Sequence, residues 1–443
     1  MSPKSPSNEA NVTLCSPRSS AGGDANSVIV VRSAKPSWIP TNHVLLRMDK
    51  FGFSANNITY QALGEHAHFR YFDFHQAPES ANPQCSAKTH GVTPVWGFGT
   101  VINSTHPKIK NGERVYGYLA PTRYLLLPVG PADVNKFAFY VPRLHLPADR
   151  RPYNQILRCE SDPQYTPNPV VEDLTMLYRP LFWTSYWCED WLHTSGYRGD
   201  ASAIVISSAS AKTAFCLAYL INKRLERGEI KSGTKIIGLT SRRNLAFVKR
   251  LRFYHEVLDY DNFTSSPTFQ APRNQRWIYV DVAGNDELNA RINSYFASPY
   301  THHLAACVQL GLTNMLPTSK GVSSRDWSKN TFEIAGSADK SEVTSSFWPK
   351  MEQFFMPEWL DVRKLQIPIY DIFQRQNQAW EELMVDCKDW VELTRVNGSE
   401  NVKNAYLKLV KEGLGPDKGF IWSMWDADME PCPSEPQPLV SRL

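Results

Sequence analysis

The stretch that decides the fold runs Ala203-Ile204-Val205-Ile206-Ser207-Ser208-Ala209-Ser210-Ala211-Lys212-Thr213-Ala214. Its first four residues are a short, wholly apolar run of the kind buried on both faces of a parallel sheet, and the apolar spacing then turns helical from Ala211 to Arg227. The same alternation repeats downstream. Strand-like runs at Lys235–Thr240, Val257–Tyr260, Trp277–Gly284 and Leu304–Gly311 enclose helical stretches at Asn244–Arg252 and Asp286–Ser298. Strand, helix, strand at this spacing requires right-handed crossovers and predicts a parallel sheet with helices on both faces.

Residues 201–317 therefore read as a Rossmann-type, doubly wound unit. In such a sheet a ligand lies beyond the carboxyl ends of the strands, where the first strand-to-helix turn offers backbone N–H groups and a helix dipole to phosphate. Here that turn contains no glycine. Serine and alanine are the next smallest residues, so Ser207, Ser208, Ser210 and Ala211 stand where glycines would let pyrophosphate approach, and Lys212 and Thr213 fall in the helix's first turn. A competing reading is that the small residues simply let the helix pack tightly on its strand. The second strand ends Thr240-Ser241-Arg242-Arg243-Asn244, with two guanidiniums where an acidic residue would hold the ribose of NAD. Arginine there suits a 2′-phosphate, so Ser241, Arg242 and Arg243 point to NADP(H), although a solvated helix start would use the same residues.

At 443 residues the chain is too long for one ordinary core. Its 42% hydrophobic and 21% charged residues are those of a soluble globular protein, and a scattered net charge of +4 argues against a nucleic-acid partner. The eight cysteines include no C-x-x-C pair, which reads as reduced, buried thiols. Residues 1–26, rich in Ser, Pro, Asn and Gly without an apolar run, are expected to be a disordered leader, with no membrane span and a cytoplasmic location.

Strand signals at Ser27–Arg32, His43–Lys50, Val92–Ile102 and Gly112–Leu119, punctuated by Gly and Pro, predict a small, partly open barrel in a β-rich substrate domain over residues 27–185. The aromatic-dense Glu172–Trp187 helix leads into the nucleotide-binding domain, residues 186–355, its rings serving either domain packing or a substrate cleft. Amphipathic helices at Ile372–Leu393 and Val402–Glu412 predict a C-terminal helical extension, residues 356–443, that packs back on the first domain.

Taken together these segments resemble the medium-chain dehydrogenase/reductase superfamily, and within it the zinc-free quinone and enoyl reductases. The resemblance rests on Ile237–Leu251 running into Glu256–Tyr260, and on Val44–Tyr60 and Gly97–Gly117 with their Gly112-Glu113-Arg114-Val115. It also brings to mind a branch known only as a domain of unknown function. The resemblance implies an α/β fold with an N-terminal GroES-like β-barrel. The cysteine and the Gly-His-Glu of zinc-dependent relatives are replaced by Phe51–Asn57 and Trp96-Gly97-Phe98-Gly99, so no zinc is expected. In zinc-free relatives a hydrogen bond orients the substrate carbonyl and a tyrosine often gives the proton. The matching segment, Asn56-Asn57-Ile58-Thr59-Tyr60, offers Asn57 for the first role and Tyr60 for the second; a barrel residue with its hydroxyl on backbone is the alternative for Tyr60. Two functions stand. One is an NADPH-dependent reductase of an activated double bond or carbonyl in a hydrophobic, polyketide-like small molecule of secondary metabolism. The other is a cofactor-independent lyase, hydrolase or cyclase on the same scaffold. Relatives suggest a homodimer paired near Leu304–Pro317.

Overall fold

The computed structural model describes residues 10–271, 275–298, 300–312, 349 and 351–427. Its C-terminal half is organised by a six-stranded, all-parallel sheet in the order Glu256–Asp259, Lys235–Thr240, Ala203–Ile206, Arg276–Asp281, His303–Gln309, Met351–Gln353. Alternation along the strands supplies both cores. Ile204, Ile206, Ile236, Ile278, Val280 and Val308 pack on one side against Ala214–Ile221 of the Lys212–Glu226 helix. Val205, Ile237, Leu239, Trp277 and Tyr279 pack on the other side against Leu288, Ile292 and Phe296 of the Asp286–Ala297 helix. Both faces are thus buried, as the continuous apolar runs require. The chain is mixed α/β with a parallel sheet. One strand escaped the sequence reading: Met351–Gln353 pairs outside His303–Gln309 and covers the edge on which pairing of two copies was expected.

A 26-residue helix, Pro169–Thr194, crosses the boundary expected between residues 185 and 186. Asn168 caps it by accepting hydrogen bonds from the Val170 and Val171 amides, and Pro169 takes the first position, where its missing N–H costs nothing. Tyr178, Phe182 and Trp187 are buried among Phe215, Trp380 and Trp390, so this aromatic face is packing rather than a cleft.

The other half is an eight-stranded sheet running Ala138–Tyr140, Gln155–Arg158, Arg114–Leu119, Val95–Ser104, His43–Phe53, Lys418–Ser423, Glu392–Asn397, with Tyr124–Pro128 also paired to His43–Phe53. Two expectations need correcting. Within the supposed leader, Ala10–Pro17 forms a strand antiparallel to Ile29–Ala34, with Val12 and Cys15 fully buried; alternation hidden among Ser and Asn outweighs composition. The C-terminal extension is helical only in part, because Glu392–Asn397 and Lys418–Ser423 are parallel strands that complete the first sheet around the Ser399–Glu412 helix. The helices Met356–Gln366 and Ile369–Asp386 pack instead on Pro169–Thr194, where Trp359 donates to Asp190 at 2.8 Å and Trp380 stacks on Trp183. Residues 1–9, 313–348 and 428–443, which include parts of the leader, the nucleotide-binding unit and the extension, lie outside the described residues. Among the described residues no helix is long and apolar enough to cross a membrane.

Candidate cofactor crevice and active site

The glycine-free turn is held by its own side chains. Ser207 is fully buried; its hydroxyl donates to Asp281 Oδ1 at 3.0 Å and accepts the amides of Val282 at 2.9 Å and Ala283 at 3.0 Å. It thus ties the end of the first strand to the end of the fourth, and its oxygen is spent inside the protein. Asn289 braces the other Asp281 oxygen at 2.7 Å, and Tyr279 donates to Asn289. Ser207 as a phosphate ligand is therefore corrected: its hydrogen-bonding capacity is committed to the fold. Ser208 adopts a left-handed φ of 51°, a conformation glycine takes freely, and its amide is held by the Tyr260 hydroxyl at 3.1 Å. The Ala209 and Ala211 amides bond to Leu239 and Ser208 carbonyls, and Ser210 Oγ accepts from Asn244 at 3.0 Å.

What the turn leaves open is the helix start itself. Ala211 is the N-cap and has no side chain to cap the first-turn amides of Lys212, Thr213 and Ala214. Lys212 is buried and donates to the Lys418 carbonyl at 3.3 Å, which draws the C-terminal segment over the helix start. Burial pushes its amine down to about 8, against the opposing pull of Cys216 and Asp417. Thr213 contributes its backbone carbonyl, at 2.8 Å, to Ser185 of the long helix. At the end of the second strand Arg242 is exposed, with loose ion pairs to Asp261 at 3.4 Å and Asp259 at 3.8 Å. Arg243 is also exposed, beside Gly413, and Ser241 Oγ is buried without a hydrogen-bond partner among the described residues.

Tyr60 and Asn57 part company. Both lie on a short helix, Ala55–Ala62, and Asn57 is its capping residue: Oδ1 accepts the Ser54 amide at 2.9 Å and Nδ2 donates to the Pro94 carbonyl at 3.4 Å. Asn57 thus holds the helix start: the capping box takes its oxygen, and a separate bond to Pro94 takes one of its two amide protons. Tyr60, one helical turn on, enters a cluster of rings. It lies 4.7 Å from Tyr71 and 5.4 Å from Tyr118, which in turn is 4.9 Å from Tyr153 and 5.0 Å from Trp96. Asn56 donates to the Tyr60 hydroxyl at 3.1 Å. Burial, with nearby Tyr153, pushes the phenol well above its ordinary range, while the Asn56 bond and the Arg150 charge resist. The cluster sits at the junction of the two halves: Thr59 donates to the Leu312 carbonyl at 3.3 Å, just beyond the fifth parallel strand, and Leu312 packs on the rings. His68 pairs with Asp149 at 3.2 Å, and among the described residues no three His, Cys, Asp or Glu side chains gather as a metal would need.

Residues 51–415 match the family described as "Protein of unknown function (DUF2855)". The chain belongs to this family. No curated protein matches it in sequence. In structure this DUF2855 chain is similar to CurA from Vibrio vulnificus in complex with NADPH, at 13% identity and a TM-score of 0.51 over 94% of this chain and 98% of that one. It is also similar to the Etr1p/NADP/crotonyl-CoA complex, at 10% identity and a TM-score of 0.50 over 94% and 99%. At such identities the likeness is one of fold, and it spans both halves of the molecule.

Several residues at this DUF2855 site gave no usable signal in the sequence. Asp281 reads as an ordinary strand end until Ser207 is seen across from it. Tyr118, Tyr153 and Arg150 lie far from Tyr60 in the chain and meet it only through the sheet and the Ala148–Asn154 turn. The register pairing Trp96 with Tyr118 on adjacent strands is what brings two of these rings together.

Proposed function

We propose that this protein is a zinc-independent, NADPH-dependent reductase of an activated double bond or carbonyl in a hydrophobic, polyketide-like small molecule. The observation that carries the reading is the pairing of an uncapped helix start after the first parallel strand with two exposed arginines after the second. The amides of Lys212, Thr213 and Ala214 suit a pyrophosphate, and Ser241, Arg242 and Arg243 suit a 2′-phosphate. CurA and Etr1p, whose fold this chain shares, carry NADPH and NADP in their complexes, which supports the assignment. A GroES-like character of the first half and a cytoplasmic location belong to the same reading, and a homodimer would pair through a face other than the edge that Met351–Gln353 covers.

Bound there, NADPH would supply a hydride. The chain's own part is to hold the substrate and deliver a proton. Tyr60 keeps its proton across the working pH range, and Asn56 and Arg150 stand ready to stabilise the phenolate left after transfer.

A cofactor-independent lyase, hydrolase or cyclase is the second reading. It is favoured by one observation: the amides of Ser208, Ala209 and Ala211 are already occupied within the turn. Titration of the purified protein with NADPH, followed by fluorescence, decides between them. Micromolar saturation is expected, weakened about 10- to 100-fold in Arg242→Ser/Arg243→Ser through loss of charge-assisted bonds, with weak NADH binding unchanged. No saturation below about 1 mM NADPH sinks the reductase reading.

A further inference from the structure

With Asn57 holding the helix start, the ring cluster offers the substrate's carbonyl two buried donors unpartnered among the described residues, the Trp96 indole N–H, which acts on the Tyr60 hydroxyl, and the hydroxyl of Tyr118. Tyr118 is fully buried, and its hydroxyl has no hydrogen-bond partner among the described residues. A buried O–H in this state destabilises a folded protein, and nothing among the described residues around it relieves it. Its ring stands edge-on to Tyr60 at 5.4 Å and to Phe74 at 5.2 Å, close to Trp96 and Tyr153. Burial and the neighbouring phenols keep the hydroxyl protonated, so it is a donor at every working pH. The cluster is not sealed: Trp96, Tyr153 and Leu312 are only half-buried and face the junction between the two halves.

We propose that Tyr118 is the residue that binds the substrate's carbonyl oxygen, and that the substrate is a planar, conjugated carbonyl compound whose frame stacks among Trp96, Tyr153 and Tyr60. This rests on the reductase reading for its chemistry. Bound NADPH would supply the hydride for the new C–H bond at the β-carbon; Tyr118 would hold the carbonyl oxygen that receives the electron pair of the double bond, and Tyr60 would give the proton that closes the α-carbon. The electrons and the proton are accounted for, leaving NADP and a phenolate on Tyr60 that solvent reprotonates. Tyr118 and Tyr60 divide the two tasks that the sequence assigned to Asn57 and Tyr60.

The test is Tyr118→Phe, which removes only the oxygen. Because that oxygen is unmatched in the unliganded protein, the variant is expected to melt about 2 °C or more above wild type. Isothermal titration with benzylideneacetone, a planar enone, should show saturable binding to wild type and at least 10-fold weaker binding to the variant. Its carbonyl-free analogue, trans-β-methylstyrene, should bind both proteins equally weakly. A melting temperature that falls in Tyr118→Phe would show the hydroxyl to be a structural hydrogen-bonder and overturn the proposal. So would equal enone binding by the two proteins, or none by wild type. NADPH titration of the same samples reports separately on the reductase reading: enone binding that depends on Tyr118 without NADPH binding would sink that reading and leave the carbonyl site standing.

Discussion

Replacing Ser207 by alanine distinguishes a ligand of the cofactor from a rivet of the sheet. The hydroxyl is fully buried and makes three hydrogen bonds, one donated to Asp281 and two accepted from the Val282 and Ala283 amides. Alanine withdraws the acceptor from two buried backbone donors and a donor from a buried carboxylate. Each buried polar group stripped of a partner costs roughly 1–3 kcal/mol, and partial relaxation brings the sum to about 3 kcal/mol. For a unit of this size that corresponds to a fall in melting temperature of about 6–12 °C, readable by differential scanning fluorimetry and by urea midpoint. NADPH affinity, measured well below the transition, is expected to stay within about threefold of wild type, because the lost oxygen faces the fourth strand and not the helix start. A variant that melts within 2 °C of wild type yet binds NADPH more than tenfold more weakly would refute this assignment and restore Ser207 to the phosphate site.

Two further substitutions test the neighbouring groups. Tyr60→Phe is expected to lower kcat by about 10²- to 10⁴-fold while leaving NADPH affinity unchanged, as loss of a general acid should; steady-state kinetics beside an NADPH titration checks it. Lys212 gives a pH signature: its folded value of about 8 lies below the ordinary 10.5, so between those values the unfolded chain binds the extra proton and stability rises with pH. Below pH 8 both states hold the Lys212 proton and its slope vanishes; the buried cysteines, raised from 9.0, oppose it across the same window, and above pH 10 the buried tyrosines add to that opposition. Lys212 should therefore make the change in urea midpoint between pH 7.5 and 9.5 more positive in wild type than in Lys212→Met, whose midpoint carries only the loss from the buried thiols; an equal change in the two proteins would place the titrating group elsewhere.

The parallel sheet was legible because burial on both faces leaves a mark that needs no partner to be read. Ala203–Ile206, Lys235–Thr240 and Arg276–Asp281 are nearly unbroken apolar runs, and each helix between them shows its own period. Elements whose identity depends on a distant neighbour left fainter marks. Met351–Gln353 is three residues long and becomes a strand only because His303–Gln309 offers it an edge. Lys418–Ser423 joins a sheet whose nearest antiparallel partner, His43–Phe53, lies at the other end of the chain. The site divides the same way: Tyr60 and Asn57 came from a local motif, and the structure adds that an asparagine at the third helical position also caps the helix.

The missing glycines make the sharpest case. A glycine-rich turn does three things at once: it takes a left-handed backbone, lets strand and helix approach, and leaves its amides to the ligand. Here those tasks are distributed. Ser208 takes the left-handed conformation and the Tyr260 hydroxyl holds it there. The close approach is moved to the neighbouring strand, where Gly238 faces Ala209 so tightly that a Cβ on it would come within 2.9 Å of the Ala209 Cβ and 2.8 Å of the Tyr254 ring. The third task, offering amides, falls to the helix start alone, because Ser207 and Tyr260 have turned the turn's polar groups inward. A search for glycines in the turn fails on such a site. A search for the strain that glycines relieve, together with the side chains that bear it, finds it.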